Sequence, residues 1–304
     1  MELHARAIGC LLGLAIGDAI GTTLEFQRPG TFTPIDDMVG GGPFNLLPGE
    51  WTDDTSMALC LADSLLHCKG FDADDQMQRY VRWWREGYRS VTGQCFDIGN
   101  TVRRALQYYE HSREPFAGPT EPTSAGNGSL MRLAPVVIYY SHDRELCVQQ
   151  AQESSRTTHG AKLAVEACGL FAAMLQVALR GDVSRVLTDH GFAPDTPELQ
   201  DVLENAAMAR NRSATSVRGT GYCVDALDAA LWCFATTDNY ADAVLKAANL
   251  GDDADTTAAI TGQLAGAVYG VNGIPIHWRE AVSEGREISE LAVQLLEGGR
   301  RAQR

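Results

Sequence analysis

The chain has 304 residues, 45% of them hydrophobic, enough to bury a substantial core, so disorder is excluded as the default state. Its 39 Asp and Glu outnumber 25 Lys and Arg, giving a formal net charge of −14. A surface of that sign repels phosphate backbones and anionic lipid, so nucleic acid and membrane are not expected as bulk partners, and an anionic ligand needs a local cation or a helix N-terminus to offset the field.

In chain order, apolar residues recur at helical spacing over 5–20, 54–68, 74–87, 98–110, 143–153, 160–180, 197–210, 222–235, 239–249, 255–269 and 287–298. Alternating β-branched runs are scarce, so the expectation is an all-α chain with N-caps supplied by Asp, Ser and Thr. The opening segment ARAIGCLLGLAIGDAIG is apolar, but it lacks a basic leader and carries Asp18; it reads as a buried first helix and not as a signal peptide. The Ala- and Gly-rich stretch TTAAITGQLAGAVYG implies close backbone packing. Long loops fall at 40–55, 113–132 and 210–222, a length that in a compact helical domain usually serves function. No composition shift marks an internal boundary, which predicts one domain over 1–298 and a flexible tail at 299–304. The eight cysteines are scattered and none forms a C-x-x-C pair, the pattern of reduced, buried thiols in a cytoplasmic protein and not of a zinc site.

Two runs place acidic and hydroxyl groups just ahead of apolar helices: Thr52-Asp53-Asp54-Thr55 and Asp252-Asp253-Ala254-Asp255-Thr256-Thr257. One such run is ordinarily a helix cap, but two offer more oxygens than capping needs. Hard cations such as Mg²⁺ or Mn²⁺ take six oxygen ligands, and the oxygens of both runs suit a two-metal site, with Asp53 and Asp255 placed to bridge. Asp18 reads as a buried carboxylate capping a neighbouring helix, and Glu25 as a ligand or general base. Asp97 in CFDIGN and His159 in SSRTTHG stand beside small residues where helices begin, positions at which a lone Asp is more often a cap than a catalyst and a lone His more often structural. The loop Ser124–Arg132 has the makings of an anion cradle, with glycines that let backbone N–H groups approach a phosphate and a helix start expected at Leu130. Gly219-Thr220-Gly221-Tyr222 is a second glycine-bearing loop, in which Tyr222 either stacks on an adenine or belongs to the core.

Taken together, GDAIGTTLEF, WTDDTSMAL, CFDIGNT, GNGSLMRLAP, SSRTTHG, GTGYCVDAL and NLGDDADTTAAITGQLAGAVYG strongly resemble the ADP-ribosylglycohydrolase family, in particular its dinitrogenase-reductase-activating branch, over about residues 5–285. The resemblance implies a compact orthogonal helical bundle with a binuclear Mg²⁺ or Mn²⁺ centre beneath an ADP-ribose cleft. It implies metal ligands Thr52, Asp53, Asp54, Asp253, Asp255 and Thr256, with Glu25 at the metal edge and Asp97 by the reacting ribose. Gly126, Asn127, Gly128 and Ser129 would bind diphosphate, and His159 and Tyr222 would line the ribose and adenine side. The expected partner is an ADP-ribosylated protein, with ADP-ribose as product and arginine as the favoured linkage, acted on by a monomer or weak oligomer. Catalysis would fall to Asp97 and Glu25. Rival expectations are hydrolysis of serine-linked or O-acetyl ADP-ribose, a non-catalytic ADP-ribose-binding module, and a metal-dependent phosphohydrolase.

Overall fold

Glycines at four-residue intervals seat the first helix, α1 (Leu3–Gly21), directly on the backbone of a late one, α11 (Ala254–Tyr269). A Cβ built at Gly9 would lie 2.3 Å from the carbonyl oxygen of Gly266, at Gly13 2.4 Å from that of Gly262, at Gly17 2.2 Å from that of Ala258 and at Gly21 2.4 Å from that of Ala254. Partner numbers fall as α1 numbers rise, so the two helices run antiparallel. Residues four apart share one helix face, which makes the stripe continuous. Apart from His4 near the start of α1, the polar or charged residues of both helices are buried along with the apolar ones, as expected of helices enclosed on every side.

The computed structural model describes residues 2–302. Around the α1–α11 pair lie α2 (Asp53–Cys68), α3 (Ala73–Glu86), α4 (Asn100–Ser112), α5 (Ala134–Tyr139), α6 (Arg144–Arg156), α7 (Lys162–Arg180), α8 (Pro197–Ala207), α9 (Cys223–Ala235), α10 (Tyr240–Ala248), α12 (Ile276–Ala281) and α13 (Gly285–Ala302). The described residues contain no named β-strand, only isolated bridges such as Gly126 with Tyr222. The all-α expectation is therefore met, and each of the eleven helical spans read from the sequence coincides with a helix. The sequence missed α5 and α12, six residues each and too short to display a periodicity.

A large core surrounds α1 and α11, and a smaller one gathers Met57, Met77, Tyr80, Trp83, Leu106 and Tyr109 between α2, α3 and α4. The smaller core fixes the loop between α3 and α4 that carries Asp97. Two helices, Leu3–Leu24 counted with its following turn and Lys162–Arg180, are long and apolar enough to cross a membrane, and both are mostly buried inside the fold.

Two local expectations need correction. The flexible tail at 299–304 is helix as far as Ala302, because Gly299 is buried against the backbone of Tyr139; Gln303 and Arg304 lie outside the described residues. The helix expected to start at Leu130 starts at Ala134, with Pro135 in its first turn, where a missing N–H costs nothing.

The stripe makes a direct prediction. Gly17→Ala sets a methyl against the backbone of Ala258 with no side chain free to yield, and should lower unfolding free energy by about 1–3 kcal/mol. Chemical denaturation checks it; a variant as stable as the parent would contradict the seating of α1 on α11.

Candidate metal and substrate site

The α1–α11 contact ends where both acidic runs begin. Asp53 and Asp54 open α2, Asp253 is the N-cap of α11 and Asp255 lies in its first turn, so both runs sit at positive helix ends that favour carboxylates. The runs meet. Thr52 Oγ1 donates to Asp255 Oδ2 at 3.4 Å, and Thr256 Oγ1 donates to Asp54 Oδ1 at 3.2 Å. Asp18 holds α2 in place: its carboxylate accepts from the backbone N–H groups of Thr52 and Thr55 and from both hydroxyls, at 2.6–3.1 Å. It is thus the buried cap of a neighbouring helix that the sequence suggested.

Glu25 follows the 3₁₀ turn after α1, and its segment is tied to the second run by reciprocal backbone bonds, Phe26 N–H to Asp252 O and Asp252 N–H to Gln27 O, each 2.7 Å. Asp97 arrives from the α3–α4 loop with a left-handed backbone, φ 59°. Carboxylate oxygens of Glu25, Asp97 and Asp255 lie within 4.8 Å of one another, a group able to hold a metal ion.

These groups line a cavity of about 460 Å³ together with Asp53, Asp253, Thr256, Asn127 and His159. Among the described residues no lysine or arginine lines it. The electrostatic consequence is large. Burial, then the charges of Asp97 and Asp253, pushes Glu25 up to about 10. Asp97 is pushed up to about 7 by burial and then by Asp253 and Asp18, and Asp18 to about 6 by burial despite its hydrogen bonds. Asp53, Asp54 and Asp255 are raised well above the carboxylate range, burial first and neighbouring carboxylates second. Glu25 Oε2 and Asp54 Oδ2 are buried without a hydrogen-bond partner. Clustered, partly orphaned carboxylate oxygens with no protein counter-charge fit a hard divalent cation.

Not every expected site residue faces the cavity. Gly126, Asn127, Gly128 and His159 do. Asn127 Nδ2 donates to Asp253 Oδ2 at 2.8 Å, coupling the glycine loop to the second acidic run. Ser129 does not line it; its hydroxyl accepts from Cys168 Sγ at 3.3 Å and lies 2.9 Å from Ser155 Oγ. Tyr222 packs against the core, and its neighbour Gly221 reaches the cavity instead. Thr52 and Asp54 stand behind the lining, both fully buried. Sequence reasoning passed over Phe26 and the segment Ile98–Val102. Gly99, Asn100 and Thr101 form the start of α4, whose N-cap makes no side-chain bond, so its free N–H groups offer the positive helix end that an anion needs. The signal is present in CFDIGNT, where Gly99, Asn100 and Thr101 follow the aspartate at a helix start.

The whole chain, residues 1–304, matches the model of the ADP-ribosylglycohydrolase family. The chain belongs to that family. It is similar to an ADP-ribosylarginine hydrolase of Pseudomonas putida (strain GB-1), 47% identical over 294 residues, covering 96% of this chain and 78% of that protein. It is also similar to the ADP-ribosyl-[dinitrogen reductase] glycohydrolase of Rhodospirillum rubrum, 32% identical, covering 91% of this chain and 90% of the relative. A solved structure titled ADP-ribosylglycohydrolase-related protein complex superimposes with a TM-score of 0.86 at 41% identity, covering 98% of this chain and 99% of that one. The family resemblance and the fold expected from it are both met.

The raised carboxyls predict how stability depends on pH. Without cations, each ionises at higher pH in the folded protein than in the unfolded chain, so the folded form retains protons that the unfolded form has lost. Stability is then lost as pH rises from the ordinary carboxyl range near about 4 through the folded-state values. Divalent cations held by the ionised carboxylates would reverse the trend. In chelator, the thermal midpoint should fall between about pH 5 and 8, and the rise on adding Mg²⁺ should grow over the same range. A Mg²⁺ effect that is absent or independent of pH would contradict this.

Proposed function

We propose that the protein is a cytoplasmic hydrolase, dependent on two divalent cations, Mg²⁺ or Mn²⁺, that removes ADP-ribose from arginine side chains of modified proteins. One observation carries the reading: two acidic runs joined by crossed hydrogen bonds over a cavity that lacks lysine and arginine, in a chain of this family. The names of the relatives at 47% and 32% identity support the arginine linkage and the protein substrate.

Asp53, Asp54, Asp253, Asp255 and Thr256 would hold the cations, with Glu25 at their edge; bound there, they supply Lewis acidity and lower the pKa of water in the site toward neutrality. Thr52 would join that set: its hydroxyl donates its hydrogen to the carboxylates of Asp18 and Asp255, which leaves the oxygen lone pairs for a cation. The backbone of Gly126–Gly128 and the N–H groups opening α4 receive the anionic diphosphate, which the acidic surface would otherwise repel. Asp97 and Glu25 share the proton work. As water oxygen bonds to the ribose anomeric carbon and the bond to the guanidine nitrogen breaks, a carboxylate takes the water proton and the departing nitrogen gains one. The same carboxylates stabilise positive charge on the sugar. The chain acts as a single domain, and nothing in this chemistry requires a second copy.

Two predictions follow from this reading. With Mn²⁺ present, free ADP-ribose should appear from an arginine-modified protein; release from serine-linked substrate alone overturns the arginine choice, AMP as product points to phosphohydrolase chemistry, and binding without turnover to a reader module. Asp97→Asn should cut kcat by at least about 100-fold while ADP-ribose binding persists; steady-state kinetics with calorimetry measures both, and an unchanged kcat removes Asp97 from the reaction.

A further inference from the structure

Behind the Gly126–Gly128 turn lies a fully buried cation, Arg132. Among the described residues no carboxylate pairs with it. Its Nη1 donates to Gly128 O at 2.9 Å, its Nη2 donates to Ser154 O at 3.3 Å and to Thr158 Oγ1 at 2.7 Å, and its guanidinium carbon lies 4.9 Å from the centre of the Tyr80 ring.

A guanidinium only donates, so Thr158 Oγ1 accepts from Arg132 and must place its own hydrogen elsewhere. The partner within reach is His159 Nδ1, at 2.8 Å. In the opposite arrangement, with Nδ1–H donating to Thr158, the threonine hydrogen would be stranded in a fully buried position, an arrangement that folded proteins avoid. Nδ1 is therefore the acceptor, and a neutral ring then carries its proton on Nε2. Burial and the Arg132 charge push the His159 pKa down to about 3, so the ring is neutral across the physiological range. The carboxylates that share its cavity are Glu25, Asp53, Asp97, Asp253 and Asp255.

Nε2 is the nitrogen that faces the glycine turn. A Cβ at Gly128 would lie 3.1 Å from it and one at Gly126 3.3 Å, so the glycines leave the ring edge room beside the cavity that His159 lines.

We propose that Arg132 is a positioning residue that works through the Thr158 hydroxyl: it fixes the Nε2–H tautomer of His159, which then acts as a standing hydrogen-bond donor to a diphosphate oxygen above the Gly126–Gly128 turn and not as an acid or base. The identity of that oxygen rests on the ADP-ribose reading; the lock itself does not. Placing the positive charge behind the turn gives the cradle an attractive potential, while the group that meets the ligand stays neutral and directional.

Long-range ¹H–¹⁵N correlation spectra of the histidine rings, combined with calorimetric titration of ADP-ribose in Mg²⁺, test the proposal on the full chain. His159 should show a protonated Nε2 and an unprotonated Nδ1, unchanged from about pH 5 to 8. Thr158→Val should mix the tautomers and raise the ADP-ribose Kd about fivefold to tenfold, the effect of one hydrogen bond, while Thr158→Ser restores both. A ring that carries its proton on Nδ1 in the parent protein, or titrates at the ordinary midpoint of about 6.5, overturns the proposal, as does a Thr158→Val protein with unaltered tautomer and Kd. If the parent protein shows the pH-independent Nε2–H form but does not bind ADP-ribose, the functional reading fails and the lock is upheld.

Discussion

The site depends on the backbone contact between α1 and α11. Four small positions on α1 meet four carbonyls on α11 at distances that exclude any side chain, and this fixes the axial register of the pair. Register matters because the chemistry sits at its end: Asp18 within α1, Glu25 just beyond it, and Asp253 and Asp255 at the start of α11. Asp18 then captures the first turn of α2 through four donors, bringing Asp53 and Asp54 to the same place. Packing of apolar helices and assembly of a polar site are one event, since a shift along the stripe would move some carboxylates and not others.

The cost of that assembly is electrostatic. Five carboxylates line one cavity and two more stand behind it, with no lysine or arginine among the described lining residues. Buried like charges raise one another's pKa and oppose folding at neutral pH, so the large core around α1 and α11 must stabilise the chain enough to offset them. Positive charge is supplied to the neighbouring anion cradle by other means: the start of α4, the glycine turn, and Arg132 held out of contact behind it. The cavity thus has an acidic wall and a second wall of glycines and helix-start N–H groups, the division that the proposed ligand, with ribose hydroxyls and a diphosphate, would use.

Much of this was legible in the sequence. Eleven helices, the two acidic runs, Glu25, Asp97, His159 and the Gly126–Gly128 turn were all visible as periodicity, as polar residues at the ends of apolar helices or as a glycine-bearing loop. Those signals are local or repeated. What escaped depends on contacts far apart in the chain. Ser129 and Tyr222 belong to motifs that do face the cavity, but the Ser129 hydroxyl meets Cys168 and the partly buried Tyr222 packs against the core. Arg132 looked like the last letter of a loop motif, and its role appears only with Thr158, 26 residues away. The short helices α5 and α12 hold too few turns for their spacing to register.

The central claim is that the acidic runs near positions 53 and 255 form one nest for a pair of hard cations. The most direct measurement is titration of the metal-free chain with Mn²⁺, following the unbound ion by electron paramagnetic resonance. The account predicts about two ions taken up per chain, with uptake strongly weakened when Asp255 is replaced by asparagine. Manganese that stays free at millimolar concentration, or uptake that survives the loss of Asp255, would contradict it.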